Sequence, residues 1–406
     1  MTTPALLHCF APPARETFTE IVRAEGSRLW DADGRSYIDA IASLWYCQVG
    51  HGRTEIIDAI GEQMRSLSTY NVFAPWTNRP AEAAADRIRS LSPHPDGRVF
   101  LCCSGSESVD TALKIARLTA RLSGSAERQM IIRRERGYHG VNFGGTTAQG
   151  IPANREGWGD LVPHFEQMDG DDIESAARLF AEHGDRIAAV ICEPLQGAGG
   201  VHPPVDGYLE GLRTLCDDNG ALLIFDEVIT GFGRTGEWFA SQTYGVTPDL
   251  ITFAKGVTSG YLPMGGVICS RGVCDLLEAD PDYVFMHGYT YSGHPASTAA
   301  ALANIDIIER EGLVARATVV GERFQAGLRA LQADGVIESY RGHGAMWAAR
   351  LRGGADAVPV RDAMVAKGVI VRGIVDSIAF CPPLVIDDAD IDTCLDVLAD
   401  CAPVPT

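Results

Sequence analysis

Positive charge is scarce in this sequence of 406 residues: 34 lysines and arginines stand against 53 aspartates and glutamates, a net charge of −19. Nucleic-acid binding rests on neutralising phosphates with Lys and Arg, so no nucleic-acid partner is expected. Long apolar runs are missing as well. None approaches the roughly 18 residues that suggest a membrane span, so no membrane partner is expected either. The opening residues MTTPALLHCFAPPARE do not pair a basic region with an apolar core, as a secretory leader would. The 11 cysteines include no C-x-x-C pair and mostly sit in apolar runs, as at Cys102, Cys103, Cys192 and Cys269. That argues against a disulfide framework and for reduced thiols, so a cytoplasmic location is the expectation. Repeats, low-complexity tracts and long linkers are absent too. With 46% hydrophobic and 21% charged residues, the chain reads as a globular protein long enough for a large domain beside a smaller one.

The apolar runs that do occur are short and β-favouring, and between 99 and 270 they alternate with helical periodicity. Val99 to Cys103, Met130 to Arg133, Ile187 to Cys192, Ala221 to Phe225, Leu250 to Ala254 and Gly265 to Ser270 predict strands. This is the pattern of an α/β layered domain around a largely parallel sheet. Two of the runs end in chemistry. Asp226 and Glu227 follow the first, at the strand end where such sheets present side chains to ligands, and Lys255 follows the second. A lysine amine can condense with the aldehyde of pyridoxal phosphate, while a carboxylate keeps the pyridine nitrogen protonated so that the ring absorbs carbanion electrons. Taken alone, an aspartate ending a strand is more often a cap or a salt-bridge partner.

Both residues stand in longer words. The run Phe225-Asp226-Glu227-Val228-Ile229-Thr230-Gly231-Phe232-Gly233-Arg234-Thr235-Gly236, followed by Ala254-Lys255-Gly256, resembles the signature of class III (ω-type) aminotransferases, which use pyridoxal 5'-phosphate. The resemblance extends from Trp30 to Leu384. It implies the aminotransferase fold type I: a large cofactor-binding domain over 51–295 with a mostly parallel central sheet, and a smaller α+β domain from 1–50 and 296–406. It also implies a homodimer with shared active sites. Gly231-x-Gly233-x-x-Gly236 formally matches a dinucleotide fingerprint, but it begins five residues past the strand end and lacks the later acidic residue at the right distance.

Further residues follow. Ser104 and Glu107 have capping-box spacing, and the helix they open could offer free amides to a phosphate. By resemblance Gly105 and Ser106 hold that phosphate, and Thr290, within His287 to Pro295, reaches the phosphate of the neighbouring subunit. Tyr138 of Gly137-Tyr138-His139-Gly140 would stack on one face of the cofactor ring and Val228 on the other, with His139 read as structural. Glu193, in Glu193-Pro194-Leu195-Gln196-Gly197, would support the framework. The family's ornithine and γ-aminobutyrate branches carry a glutamate where Ala198 stands here. Trp45 and Tyr46 would line the substrate pocket, although aromatic residues more often fill cores. Arg372 would bind a substrate carboxylate bidentately, the alternative being a surface arginine on a strand. His287 and His294 lack the partner pattern of a zinc site, and no metal is expected.

Among local elements, a hairpin is expected over Arg28 to Asp39 about Asp33-Gly34, and a helix capped by Thr54. Helix is expected from Ala296 to about Leu331, and a glycine-rich entrance loop over 142–159. The activity implied by the resemblance is a ping-pong transfer of an amino group from an amine or ω-amino acid to a keto acid, ketone or aldehyde. A large, possibly peptide-borne, biosynthetic carbonyl is the alternative acceptor, and an aminomutase or racemase the alternative reaction.

Overall fold

The computed structural model describes residues 5–403. Its centre is a seven-stranded sheet ordered β4-β10-β9-β8-β7-β5-β6. The strands are β4 (Arg98–Cys102), β5 (Met130–Arg134), β6 (Phe165–Met168), β7 (Ile187–Cys192), β8 (Leu222–Asp226), β9 (Leu250–Phe253) and β10 (Gly265–Cys269). Neighbours from β9 to β6 pair in parallel, and β10 runs antiparallel to both β4 and β9. Six strands therefore point one way, and their carboxyl ends share one edge.

The strands read as unbroken apolar runs because both faces are covered. Ile131, Ile191 and Ile224 pack on one side with Val109, Ala112 and Ala116 of the Gly105–Leu122 helix. Ile132, Val190, Leu223 and Phe225 pack on the other with Leu212 and Phe180. Each such buried side chain contributes roughly 1.5–3 kcal/mol against exposure, so the sheet is a rigid platform.

Two smaller sheets flank it. β1 (Ile21–Glu25), β2 (Arg28–Asp31) and β3 (Ser36–Asp39) form the expected hairpin and its neighbour, turning at Gly34 with φ +82°. β13 (Val369–Ile370) joins β3 in parallel, so the two ends of the chain meet in one sheet. The third sheet is β11 (Ile337–His343), β12 (Met346–Leu351), β15 (Ser377–Phe380) and β14 (Arg372–Ile374), in that order.

Several local expectations need correction. Thr54 is the first residue of the Thr54–Ser66 helix, which Arg53 precedes without a side-chain cap. The expected long helix is two, Pro295–Arg310 and Leu313–Ala333, divided at Gly312, whose φ of +63° ends one and opens the other. The 142–159 stretch is not all loop, since Phe143–Ala148 is helical. Gly145 is there for closeness: a Cβ would lie 2.1 Å from the carbonyl oxygen of His139.

Candidate active site

Five strand ends converge on one cavity of about 200 Å³, lined by Leu44, Gly105, Ser106, Tyr138, His139, Glu193, Asp226, Val228 and Lys255 among others. Asp226 ends β8, Glu193 follows β7, and Lys255 stands two residues past β9. Tyr138 lies four residues past β5, and Gly105 opens the helix after β4. Parallel strands bring together residues 150 positions apart because they all finish on the same edge.

Asp226 is 4% exposed. Oδ1 accepts the Val228 N–H at 3.1 Å and the Thr252 hydroxyl at 3.0 Å, while Oδ2 accepts from Nδ1 of His139 at 2.8 Å. Thr252 faces it directly in the β8–β9 register. The backbone reverses at Lys255, with φ +46°, a conformation non-glycine residues seldom adopt and one that persists where the surroundings enforce it. Burial pulls the Lys255 amine below its ordinary value, against the opposing pull of Asp226 and Glu193. Burial pushes Glu193 up, opposed by His139 and by its bonds from the Tyr138 N–H at 2.8 Å and the Gly197 N–H at 2.9 Å.

At the helix start, Ser104 caps through Oγ to the Glu107 N–H at 3.2 Å. The reciprocal bond goes to Cys103 rather than to Ser104 itself, with Glu107 Oε2 2.7 Å from the Cys103 N–H. The Gly105 and Ser106 N–H groups have no acceptor among the described residues, which leaves the positive end of an 18-residue helix open to an anion. A Cβ on Gly105 would come 2.8 Å from Cγ1 of Val228, so glycine keeps the cradle open. Half-buried Tyr138 is pushed up by burial and by Asp226 and Glu193, and is lowered by Arg372.

Other expected residues lie elsewhere. Trp45 is 3% exposed and packs in a core with Ile41, Leu195, Ile229 and Met346; its neighbour Leu44, 52% exposed, lines the cavity instead. Tyr46 is partly buried and its hydroxyl accepts from Ser43 at 2.5 Å. Arg372 is exposed, with no ion pair among the described residues. Thr290 is exposed in a separate hollow with Tyr70, Asn71 and His294. Sequence reading missed Thr252 and the contact of His139 with Asp226. A threonine inside an otherwise apolar buried strand was the available signal for the first. The second had none beyond adjacency to Tyr138.

Comparison with known proteins agrees with this geometry. A sequence model of the family "Aminotransferase class-III" matches residues 9–402. A β-alanine–pyruvate aminotransferase of Pseudomonas aeruginosa is 41% identical over 341 residues, covering 78% of this chain and 76% of its own. An ω-aminotransferase of Caulobacter vibrioides is 37% identical over 423 residues, 96% of this chain and 95% of its own. The solved structure of an (S)-enantioselective ω-transaminase from Thermomicrobium roseum superposes with a TM-score of 0.92 at 38% identity, over 97% of this chain and 95% of that one. With matches that run nearly end to end over one shared sheet edge, the chain belongs to the class III aminotransferases and is a transaminase of fold type I.

Proposed function

We propose that this transaminase moves an amino group from an amine or ω-amino acid to a keto acid by ping-pong exchange on pyridoxal 5'-phosphate. Pyruvate, the acceptor named for the Pseudomonas relative, is the first candidate acceptor here. Class III aminotransferases use this cofactor, and the cavity fits it. The observation that carries the reading is a lysine, a buried carboxylate and two unbonded helix N–H groups around one cavity.

When bound, the cofactor supplies an aldehyde electrophile and a conjugated ring that accepts electrons. Everything else falls to the chain. Gly105 and Ser106 would hold the phosphate through their amides, and Tyr138 and Val228 would bound the ring. Asp226 would hold the proton on the pyridine nitrogen. Lys255, its amine made easier to deprotonate by burial, would hold the cofactor and would carry a proton to and from the substrate carbon. Glu193 fixes the Tyr138 backbone. At the rim, Leu44, which lines the cavity, would lie closer to the substrate than Trp45, and Arg372 would pair with a substrate carboxylate when one is present.

The reading includes a homodimer in which Thr290 completes the phosphate site of the partner subunit. It is supported by an exposed groove of about 690 Å³ with Val72, Phe73, Val284 and Met286 in its lining, Met286 being 87% exposed. Residues 51–295 would form the large domain, with 1–50 and 296–406 as the small one. All 11 cysteines are free and eight are buried, which fits the reducing cytoplasm. No helix among the described residues is long and apolar enough to cross a membrane. The test mixes cofactor-loaded protein with single amines and follows the visible band as it converts to the amine form. Conversion by β-alanine or simple amines, reversed by pyruvate, is the expected result. A loaded protein that no small donor converts would overturn the substrate class.

A further inference from the structure

Acidic side chains outnumber basic ones 53 to 34 in this chain, and Arg134 and Arg136 share one of them, Asp171, at 3.0 and 2.6 Å. Arg133, next to Arg134 on β5, is 7% exposed and has no ion pair among the described residues. Its Nη1 donates to the backbone oxygen of Gln149 and to Oε1 of Gln167, both at 2.6 Å and both neutral. Its Nε is buried without a hydrogen-bond partner among the described residues.

A second arginine stands beside it in the same condition. Gln149 accepts from Arg133 through its backbone and from Nδ2 of Asn154 through Oε1 at 2.7 Å, which ties the turn carrying Arg155 down next to Arg133. The Trp158 indole N–H closes that turn on the Asn154 oxygen at 3.2 Å. Nε of Arg155 is also buried and unpartnered, and its guanidinium makes no ion pair among the described residues. Burial first, then the charge of Arg155, holds Arg133 down at about 10, with Glu166 pulling the other way. Glu166, Glu156 and Asp160 are all exposed, and none of them pairs with either arginine. Two like charges held together away from water cost free energy unless an anion joins them.

We propose that Arg133 and Arg155 form an anion site, separate from the phosphate cradle at Gly105 and Ser106, that takes a small oxyanion: a carboxylate or a phosphate. A guanidinium fork matches the paired oxygens that both ligands present. The site lies close to the cradle in the bonding pattern. Nε2 of Gln149 donates to the Gly140 oxygen at 2.5 Å, and the next N–H, of Val141, donates to Oγ of Ser106 at 3.0 Å. The inference goes beyond the proposed reaction and does not depend on it.

The test is a calorimetric titration of full-length, cofactor-loaded protein, freed of excess cofactor and kept at low salt, with inorganic phosphate in one arm and acetate in the other. Loading fills the cradle, and the two arms tell a phosphate site from a carboxylate site. One saturable site per chain is expected in at least one arm. Arg155→Gln should weaken it by roughly 10- to 100-fold, the scale of one hydrogen bond between charged groups. Arg361→Gln, which removes a surface arginine paired with Asp362, should leave it unchanged. Without added anion Arg155→Gln should melt no lower than wild type, because it removes a repulsion, and the bound anion should raise the melting point of wild type alone. Should Arg155→Gln fail to fold, Arg155→Lys, which keeps the charge and loses the fork, takes its place and must also bind more weakly. Absence of saturable binding of either anion overturns the proposal, as does equal binding by wild type and the Arg155 variant. A protein that takes up no cofactor is titrated as it stands: the cofactor reading then falls, and the loss in Arg155→Gln still decides the anion site.

Discussion

The floor and the rim of the cavity are built differently. At the floor, Asp226, Glu193 and His139 are each no more than 4% exposed, and each is fixed by at least one bond of 2.8–3.1 Å to its neighbours. At the rim, Leu44 is exposed, and so is Arg372, proposed above to meet the substrate; neither side chain is tied to a neighbour among the described residues. A floor made of strand ends cannot shift without breaking the sheet, whereas the rim can adapt to a substrate at little cost. On the proposed function, the difference would separate the chemistry common to any donor from the choice of donor.

The sharpest way to break that comparison is Lys255→Ala. Losing the nucleophile and the proton carrier together should slow the half-reaction by about 10⁴-fold for every donor, in stopped-flow absorbance. Trp45→Ala tests which side of the boundary that residue occupies. Its burial predicts a loss of about 3–5 kcal/mol in denaturant unfolding, against about 0.5 kcal/mol or less for Leu44→Ala. A neutral Trp45→Ala with altered donor preference would move Trp45 to the rim. Asp226→Asn should keep its cofactor, read by absorbance, and lose roughly 10²- to 10³-fold in turnover across donors, the scale of one lost preorganised charge partner.

Arg372→Ala sharpens the comparison from the other side. It should lower kcat/KM for carboxylated donors and acceptors by roughly 10- to 100-fold and leave simple amines as they were. An equal loss for uncharged amines would place Arg372 with the floor. The smallest effect concerns pH. Burial holds the Lys255 amine below its ordinary 10.5, so the neutral, reactive amine persists to lower pH than in an exposed lysine. The rate at which apo-protein takes up pyridoxal phosphate should therefore rise along a limb below pH 10.5. A limb at the ordinary lysine value would mean that water solvates the amine.

Much of the floor was legible in the sequence because it is local. Strand runs, the aspartate and lysine that end them, and the glycine and serine after β4 are contiguous words whose spacing carries chemistry. Long-range contacts left no such trace. Thr252 and His139 reach Asp226 from positions 26 and 87 residues away, and only the order β9-β8-β7-β5 makes them neighbours. The rim was misread for a related reason. Ala42, Ser43 and Trp45 all have positive φ, so the side chains of Leu44 and Trp45 leave the backbone in directions that residue type does not encode. The break at Gly312 and the helix in 142–159 were missed because glycine marks either a turn or a close approach, and the neighbours decide which.

By itself, then, the sequence determined the α/β alternation, the aspartate and lysine that follow two of the strands, and the Ser104-capped helix start after another, because each follows from side-chain type and spacing within one segment. The tertiary structure alone decided which acceptor sites on Asp226 are filled and which stays open. It also decided that Leu44 rather than Trp45 faces the cavity, and that Thr290 lies outside its own chain's site. The first outcome depends on which strand lies beside which, a choice made by burying both faces of the sheet at once, and the others on loop backbone that residue type does not encode.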